Sequence, residues 1–244
     1  MTKNPFLLPF KDAVNFFAKK KVLPSRKWDD VASAYQSVAF TVASVTKASI
    51  LKDIQELIAL QLEKGVSPEK FREDFQSLMT RRGWNPNFSP YRVNLILSQN
   101  VRNSYQYGRW QQMEDPDLKR RRPYRQWVHG DSPIPRPHHI QQHLKCFPAD
   151  ADIWKAIHPS PFGCRCKAFA LSDRDLEREG LSLSTPPRLQ DIAEKGFSSG
   201  FPKNLEDQRT QLLEDAKNRL PPNLARLVEE DAQFQNKKKK GRQK

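Results

Sequence analysis

Residues 127–166 read WVHGDSPIPRPHHIQQHLKCFPADADIWKAIHPSPFGCRC, and they hold all five histidines and all three cysteines of a 244-residue chain. His139 and His143 stand four apart, so a single helical turn would set both imidazoles on one face. Pro137 suits the first position of such a turn, where a missing N–H costs nothing. Cys164 and Cys166 are separated by one residue, which in an extended segment puts both sulfurs on one side. Two imidazoles and two thiolates satisfy a tetrahedral zinc ion. Structural zinc sites usually place roughly two to four residues between paired cysteines, and here there is one. Three readings therefore stand side by side. The four residues hold zinc; or they are buried, hydrogen-bonded parts of a turn-rich core; or a hydrolytic metal site forms with Asp131 as third ligand. A disulfide fits poorly. The odd number of thiols, the strained ring that Cys-x-Cys would close and the lack of a secretory signal at the start predict reduced thiols in a cytosolic setting.

The stretch belongs to a longer pattern. Asp131, Arg136, Pro137, His139 and His143 are followed by Trp154, Pro159, Pro161, Gly163, Cys164, Arg165 and Cys166, then by the helix start Ser172-Asp173-Arg174-Asp175-Leu176. This run resembles the phage Mu F-like head morphogenesis proteins, whose pattern is roughly D-x-R-x-R-P-x-H-x-x-x-H-G, a tryptophan, then P-P-x-G-x-x-C-R-C. Tyr91-Arg92, Asn100, Arg102, Tyr105 and Gly108-Arg109-Trp110 are similar to the helix that precedes the pattern there. So is the opening, with Pro9-Phe10, Ala13, Phe16-Phe17, Lys20 and Trp28-Asp29-Asp30. The resemblance covers about residues 9–180. Two positions depart from it: Leu144 stands where the pattern has glycine, and Ser160 splits its paired prolines. The resemblance implies a minor head protein of a tailed phage or prophage, present in low copy and associated with the portal and other head proteins. Its implied place is the virion, inside the head near the portal, and the bacterial host cytoplasm during assembly.

Charge points to a polyanionic partner. The formal net charge is +14, from 42 basic and 28 acidic side chains. Lys237, Lys238, Lys239, Lys240, Arg242 and Lys244 contribute six of it within the last ten residues, and removing them from +14 still leaves +8. Nucleic acid is the natural counterpart, although charge alone does not separate DNA from RNA or from an acidic protein face; with the resemblance, the expected partner is double-stranded DNA bound without sequence preference. Apolar content is 37% and mean hydropathy −0.79, and no apolar run approaches the ~18 residues of a transmembrane helix, so no membrane partner is expected.

Periodicity supplies the architecture. Phe10, Ala13, Val14 and Phe17 mark a first helical face, and Pro24 ends that unit. Residues 27–63 read as one long helix or two short ones, closed by Gly65. Ser67-Pro68 and Ser89-Pro90 each set an N-cap before proline and start two further helices. In the second of these, Val93, Leu97, Val101, Tyr105 and Gly108 form one row. Residues 115–126 break the pattern as a loop carrying Lys119, Arg120, Arg121, Arg122 and Arg125. It is either a phosphate-contact loop, with Tyr124 able to stack on a base, or a solvated boundary. Strands are expected around Tyr124–Val128 and Cys166–Leu171, pairing so as to bring Trp127 near the cysteines. Ser172, Asp175 and Gly180 frame a short helix. Residues 181–203 read as an extended connector, residues 204–233 as two helices split by Pro221-Pro222, and the last ten as disordered.

The fold class is therefore α+β and mainly helical. A helical bundle over 1–114 precedes a small His/Cys module over 115–180 with a short sheet, then connector and C-terminal helices over 181–234 and a basic tail over 235–244. G-x-S-x-G, the P-loop and H-E-x-x-H are all missing, so no enzyme is expected. A structural head protein is the favoured reading. A metal-dependent DNA-processing hydrolase built on the His/Cys/Asp cluster is the alternative. The candidate residues are His139, His143, Cys164 and Cys166 for zinc, Lys119 to Arg122 and Lys237 to Lys240 for DNA, and Asp131, Arg136, Trp154, Gly163 and Arg165 as the remaining motif.

Overall fold

The computed structural model describes residues 11–27, 35–65, 67–84, 87–132 and 134–219. The chain divides into two compact units, one of residues 14–97 and 202–219 and one of residues 98–201 with 11–13. The division falls inside helix α4, and residues 115–201 lie wholly in the second unit. No helix among the described residues is long and apolar enough to cross a membrane.

The first unit holds most of α1 (Lys11–Ala18), β1 (Lys21–Val22), β2 (Ala39–Phe40), α2 (Ala48–Lys64), α3 (Pro68–Arg81), the start of α4 (Pro90–Met113) and, at its other end in the sequence, α9 (Leu205–Arg219). Gly65 closes α2 in the left-handed conformation, with φ +66°, and Ser67 caps α3 by accepting the Lys70 amide. Both ends follow from the sequence. The segment before α2 does not. In place of a helix running from residue 35 into α2, Ala39–Phe40 pairs in parallel with Lys21–Val22. The run Val38-Ala39-Phe40-Thr41-Val42 is rich in β-branched and aromatic side chains, which favour a pleated, buried edge over a helix. Phe40 packs edge-on against Phe17, centroids 5.6 Å apart, while Leu51, Ile54, Ile58, Phe71 and Met79 are fully buried. The second helix expected beyond Pro221-Pro222 lies outside the described residues, as do residues 28–34 and the basic tail.

The second unit is a three-stranded antiparallel sheet in the order β4 (Cys146–Pro148), β3 (Tyr124–Val128), β5 (Lys167–Leu171). Trp127 faces Ala168 and Arg125 faces Ala170 across β3 and β5, and both Trp127 and Arg125 point inward. Around them pack Phe147, Ile153, Trp154, Ile157 and Ile192, with a 3₁₀ turn at Asp152–Ala156. Arg125 is fully buried, ion-paired to Glu114 and stacked 4.4 Å over the Trp110 ring. The basic segment is no loop: Asp115 accepts the Asp117 and Leu118 amides, Pro116 takes the first position, and α5 (Pro116–Arg121) follows. An Asp-Pro start outweighs the cluster of like charges behind it. Ser172 and Asp175 form a reciprocal capping box on α7 (Asp173–Glu179), which ends at Gly180 with φ +62°.

Residues 181–201 are packed rather than an open connector. Leu183 bridges to Cys146, α8 (Leu189–Ile192) buries Ile192, and Phe197 and Phe201 are buried too. Helix α4 also departs from the expected row. Val93 and Leu97 are buried, but Tyr105 is 40% exposed, and within the second unit the helix buries Gln99, Ser104, Gln106 and Tyr107.

Leu144 adopts φ +63°, the conformation for which the related pattern keeps a glycine. Its amide donates to the Trp127 carbonyl at 2.8 Å, so the turn is held closed by the sheet. A leucine in this conformation costs about 1–2 kcal/mol, and glycine returns roughly half of that gain as backbone entropy. Its side chain is 54% exposed, so little apolar burial is at stake. Leu144→Gly should therefore stabilise the protein by about 0.5–1 kcal/mol in chemical unfolding. A loss of stability would mean that the turn is not strained.

Candidate metal centre

Three segments converge in the second unit. Arg136 leads into α6 (Pro137–Ile140) in an extended conformation, Pro137 takes its first position, and the single turn buries His139 to 1% exposure. Gly163, at φ +72°, bends the chain so that Cys164 and Cys166 enter β5 with both sulfurs inside. Helix α8 supplies the third contact, where His139 Nε2 lies 3.1 Å from the Ile192 carbonyl oxygen. A carbonyl can only accept, so Nε2 carries the proton and Nδ1 presents its lone pair. That lone pair faces the sulfurs of Cys164, at 3.5 Å, and Cys166, at 3.6 Å. The three ligand atoms lie within 4.8 Å of one another, and all three residues are buried.

These distances test a metal. Bonds of ~2.3 Å to sulfur and ~2.05 Å to nitrogen, meeting at the tetrahedral angle, set nitrogen and sulfur about 3.55 Å apart. The observed separations match that edge. The histidine is also held as metal-bound histidines are, with its second nitrogen donating to a backbone carbonyl. His139, Cys164 and Cys166 can hold a metal ion. A hydrogen bond from Cys166 holds the Cys164 thiol well below its ordinary range, opposed by burial. The same hydrogen bond, with burial and the Cys164 charge, pushes Cys166 up, against the Gly130 amide and the Trp127 indole N–H. That indole nitrogen has no conventional acceptor, leaving the Cys166 sulfur as the group it favours.

The FluMu F protein of a Mu-like prophage in Haemophilus influenzae is 30% identical over 171 residues, 65% of this chain and 41% of that protein. The putative capsid assembly protein F of Escherichia phage Mu is 29% identical over 194 residues, 72% of this chain and 44% of that one. The chain is similar to the Mu F proteins over about two thirds of its own length. It spans less than half the length of either relative. No family model and no solved structure matches it.

The remaining motif residues build the frame of the centre. Arg136 donates to Glu194 and to the Phe162 carbonyl, at 2.8 and 2.9 Å. Trp154 stacks on Trp127 with centroids 6.1 Å apart and donates to the Pro148 carbonyl. Arg165, between the two cysteines, donates to the Asp131 carbonyl at 2.5 Å. Asp131 itself is exposed and outside the ligand group, which removes the third ligand of a hydrolytic site. His143 also stands apart. Helix α6 ends at Ile140, and the exposed His143 accepts the His129 amide on Nδ1 at 3.1 Å. The spacing of four places two histidines on one face only while a helix continues.

Of the basic residues read as DNA contacts, three carry carboxylate partners: Lys119 with Glu114, Arg120 with Asp117 and Arg122 with Asp175. Lys237 to Lys240 lie outside the described residues. What sequence reasoning missed is the polar face of α4. Gln99 donates to the Ser160 carbonyl, Asn103 accepts the Ser160 amide and Gln106 accepts its hydroxyl. Gln99 also accepts the Gly163 amide, and Gln106 donates to the Cys166 carbonyl. Polar side chains at spacings of four and three were the available signal. Ser160, where the related pattern has only prolines, is the hub of this network.

Proposed function

We propose that this chain is a head protein of a Mu-like phage or prophage, acting in head assembly from the interior near the portal. The similarity to the F proteins over 65–72% of the chain carries the reading, and one of them is named for capsid assembly. Within it the second unit is a binding module for other head proteins, held rigid by a zinc ion on His139, Cys164 and Cys166. His143, the fourth ligand that spacing suggests, is left out, so the fourth position goes to water or to a group from elsewhere. Deleting the coding sequence from the phage genome tests the assignment. Lysates should then lack DNA-filled heads under the electron microscope, and a normal yield would sink it.

A net charge of +14 supports contact with packaged DNA. If it is used, affinity for duplex DNA should fall by roughly 10³- to 10⁵-fold between 50 and 200 mM salt for about 6–10 phosphate contacts. Deleting residues 235–244 removes six cations and should flatten the logarithmic slope by about 5. A slope that the deletion leaves unchanged would take the tail out of DNA binding.

A further inference from the structure

The second unit contains another constellation, beside the thiol centre. A cavity of about 320 Å³ is lined by Arg102 and Arg109 from α4, by Arg165 and Lys167 at the entry to β5, and by His158 and Asp131. The seven-residue spacing of the first pair is two helical turns, so both guanidiniums stand on one side of α4. The spacing of two along an extended segment does the same for the second pair. Four cations thus meet one carboxylate. None of the four has a carboxylate partner among the described residues. Arg165 donates to a carbonyl, Arg109 lies 5.0 Å over the Phe169 ring, and Arg102 buries Nη1 without any hydrogen-bond partner.

His158 sharpens the picture. It is 2% exposed and packs against the rings of Trp110 and Phe201, with centroids 5.0 and 5.8 Å away. Neither of its ring nitrogens has a hydrogen-bond partner among the described residues. A buried imidazole left unpaired in this way is costly, and native interiors rarely tolerate it without a ligand to satisfy it. Burial, then the nearby Arg125 and Arg109 charges, lower its pKa to about 3, so it is neutral and offers both a donor and an acceptor.

We infer that this cavity binds a phosphate group, as free phosphate or as a small phosphate monoester. A carboxylate has two oxygens and is satisfied by a single arginine fork. Three guanidiniums and an ammonium around one small space call for a dianion with more acceptors. The volume lies at the lower end of ligand pockets, which suits a phosphate with a small substituent rather than a polymer segment. The inference does not rest on the function proposed above.

Calorimetric titration of the full chain at constant ionic strength tests it, with inorganic phosphate, AMP and an oligonucleotide lacking terminal phosphates as probes and chloride as reference. Phosphate and AMP should both bind, and no better binding should come from the oligonucleotide per phosphate. Arg109→Gln and the surface variant Lys167→Gln should each weaken phosphate by roughly tenfold, the effect of one charged hydrogen bond. AMP binding better than phosphate assigns the source as a monoester, and equal binding assigns free phosphate. Heats no larger than those of chloride, affinity unchanged in both variants, or binding by the oligonucleotide alone would each overturn the inference.

Discussion

Gly130→Ala should lower the unfolding midpoint of the second unit by roughly 10–20 °C, a loss of about 3 kcal/mol or more. A β-carbon at this position would lie 2.2 Å from the Arg165 carbonyl oxygen, 2.6 Å from its Cβ and 2.8 Å from its carbonyl carbon. These are backbone-fixed atoms, so no flexible side chain can swing aside. Nor can Arg165 retreat, because Cys164 and Cys166 flank it and both are fixed in the core. The contrast is Gly163→Ala. There φ is +72° but nothing lies within 4 Å of the added carbon, so only the conformational cost of about 1–2 kcal/mol applies. Thermal unfolding of the two variants separates steric exclusion from backbone strain. A Gly130→Ala protein within about 0.5 kcal/mol of the parent would contradict the close approach of these two segments.

Cys164→Ser should abolish zinc binding and release the segment between Trp127 and Cys166. That segment supplies Trp127, Phe147, Ile153, Trp154 and Ile157 to the core, so burial holds it in part and a metal would tie the His139 turn to the cysteines. A structural zinc ion contributes on the order of 10 kcal/mol in small domains, far more than packing of one thiol. With zinc bound, the serine variant should lose about one zinc per chain and melt at least roughly 10 °C lower. A chelator should reproduce the effect in the parent and do nothing further to the variant. His143→Ala should keep its zinc, since that ring faces the His129 amide. If the parent protein purified without chelator is metal-free, the ligand reading fails. The same substitution would then cost only about 1 kcal/mol, through packing and the His139 contact.

Local signals were legible wherever chemistry within four residues decides the structure. Ser67-Pro68, Gly65 and the Ser172/Asp175 box each mark a helix end, because caps satisfy backbone groups that have no other partner. The pairing of β3 with β5, and the placing of Trp127 beside the cysteines, followed from alternation along the two strands. The Cys-x-Cys pair and His139 were identified as one cluster. The failures have a common cause. His143 was grouped by spacing, but spacing cannot say that α6 stops after one turn. Val38 to Val42 fits a helical stripe as well as a strand, and only the pairing with Lys21–Val22 decides between them. The Gln99, Asn103 and Gln106 face is polar because its partners are backbone groups of residues 160–166, and those are invisible to side-chain patterning.

The single contact between His139 and the Ile192 carbonyl sets an order of events during synthesis. The sulfurs of Cys164 and Cys166 are made 25 and 27 residues after the imidazole, and its carbonyl partner 53 residues after it. At ribosomal rates of about 5–20 residues per second, some 3–10 s separate the histidine from the group that fixes its proton. During that interval either ring nitrogen can carry the hydrogen, and the thiols have no preset acceptor. The centre is therefore completed last and from the C-terminal side. A nascent chain stalled before Ile192 carries all three ligands without the carbonyl that fixes the His139 proton.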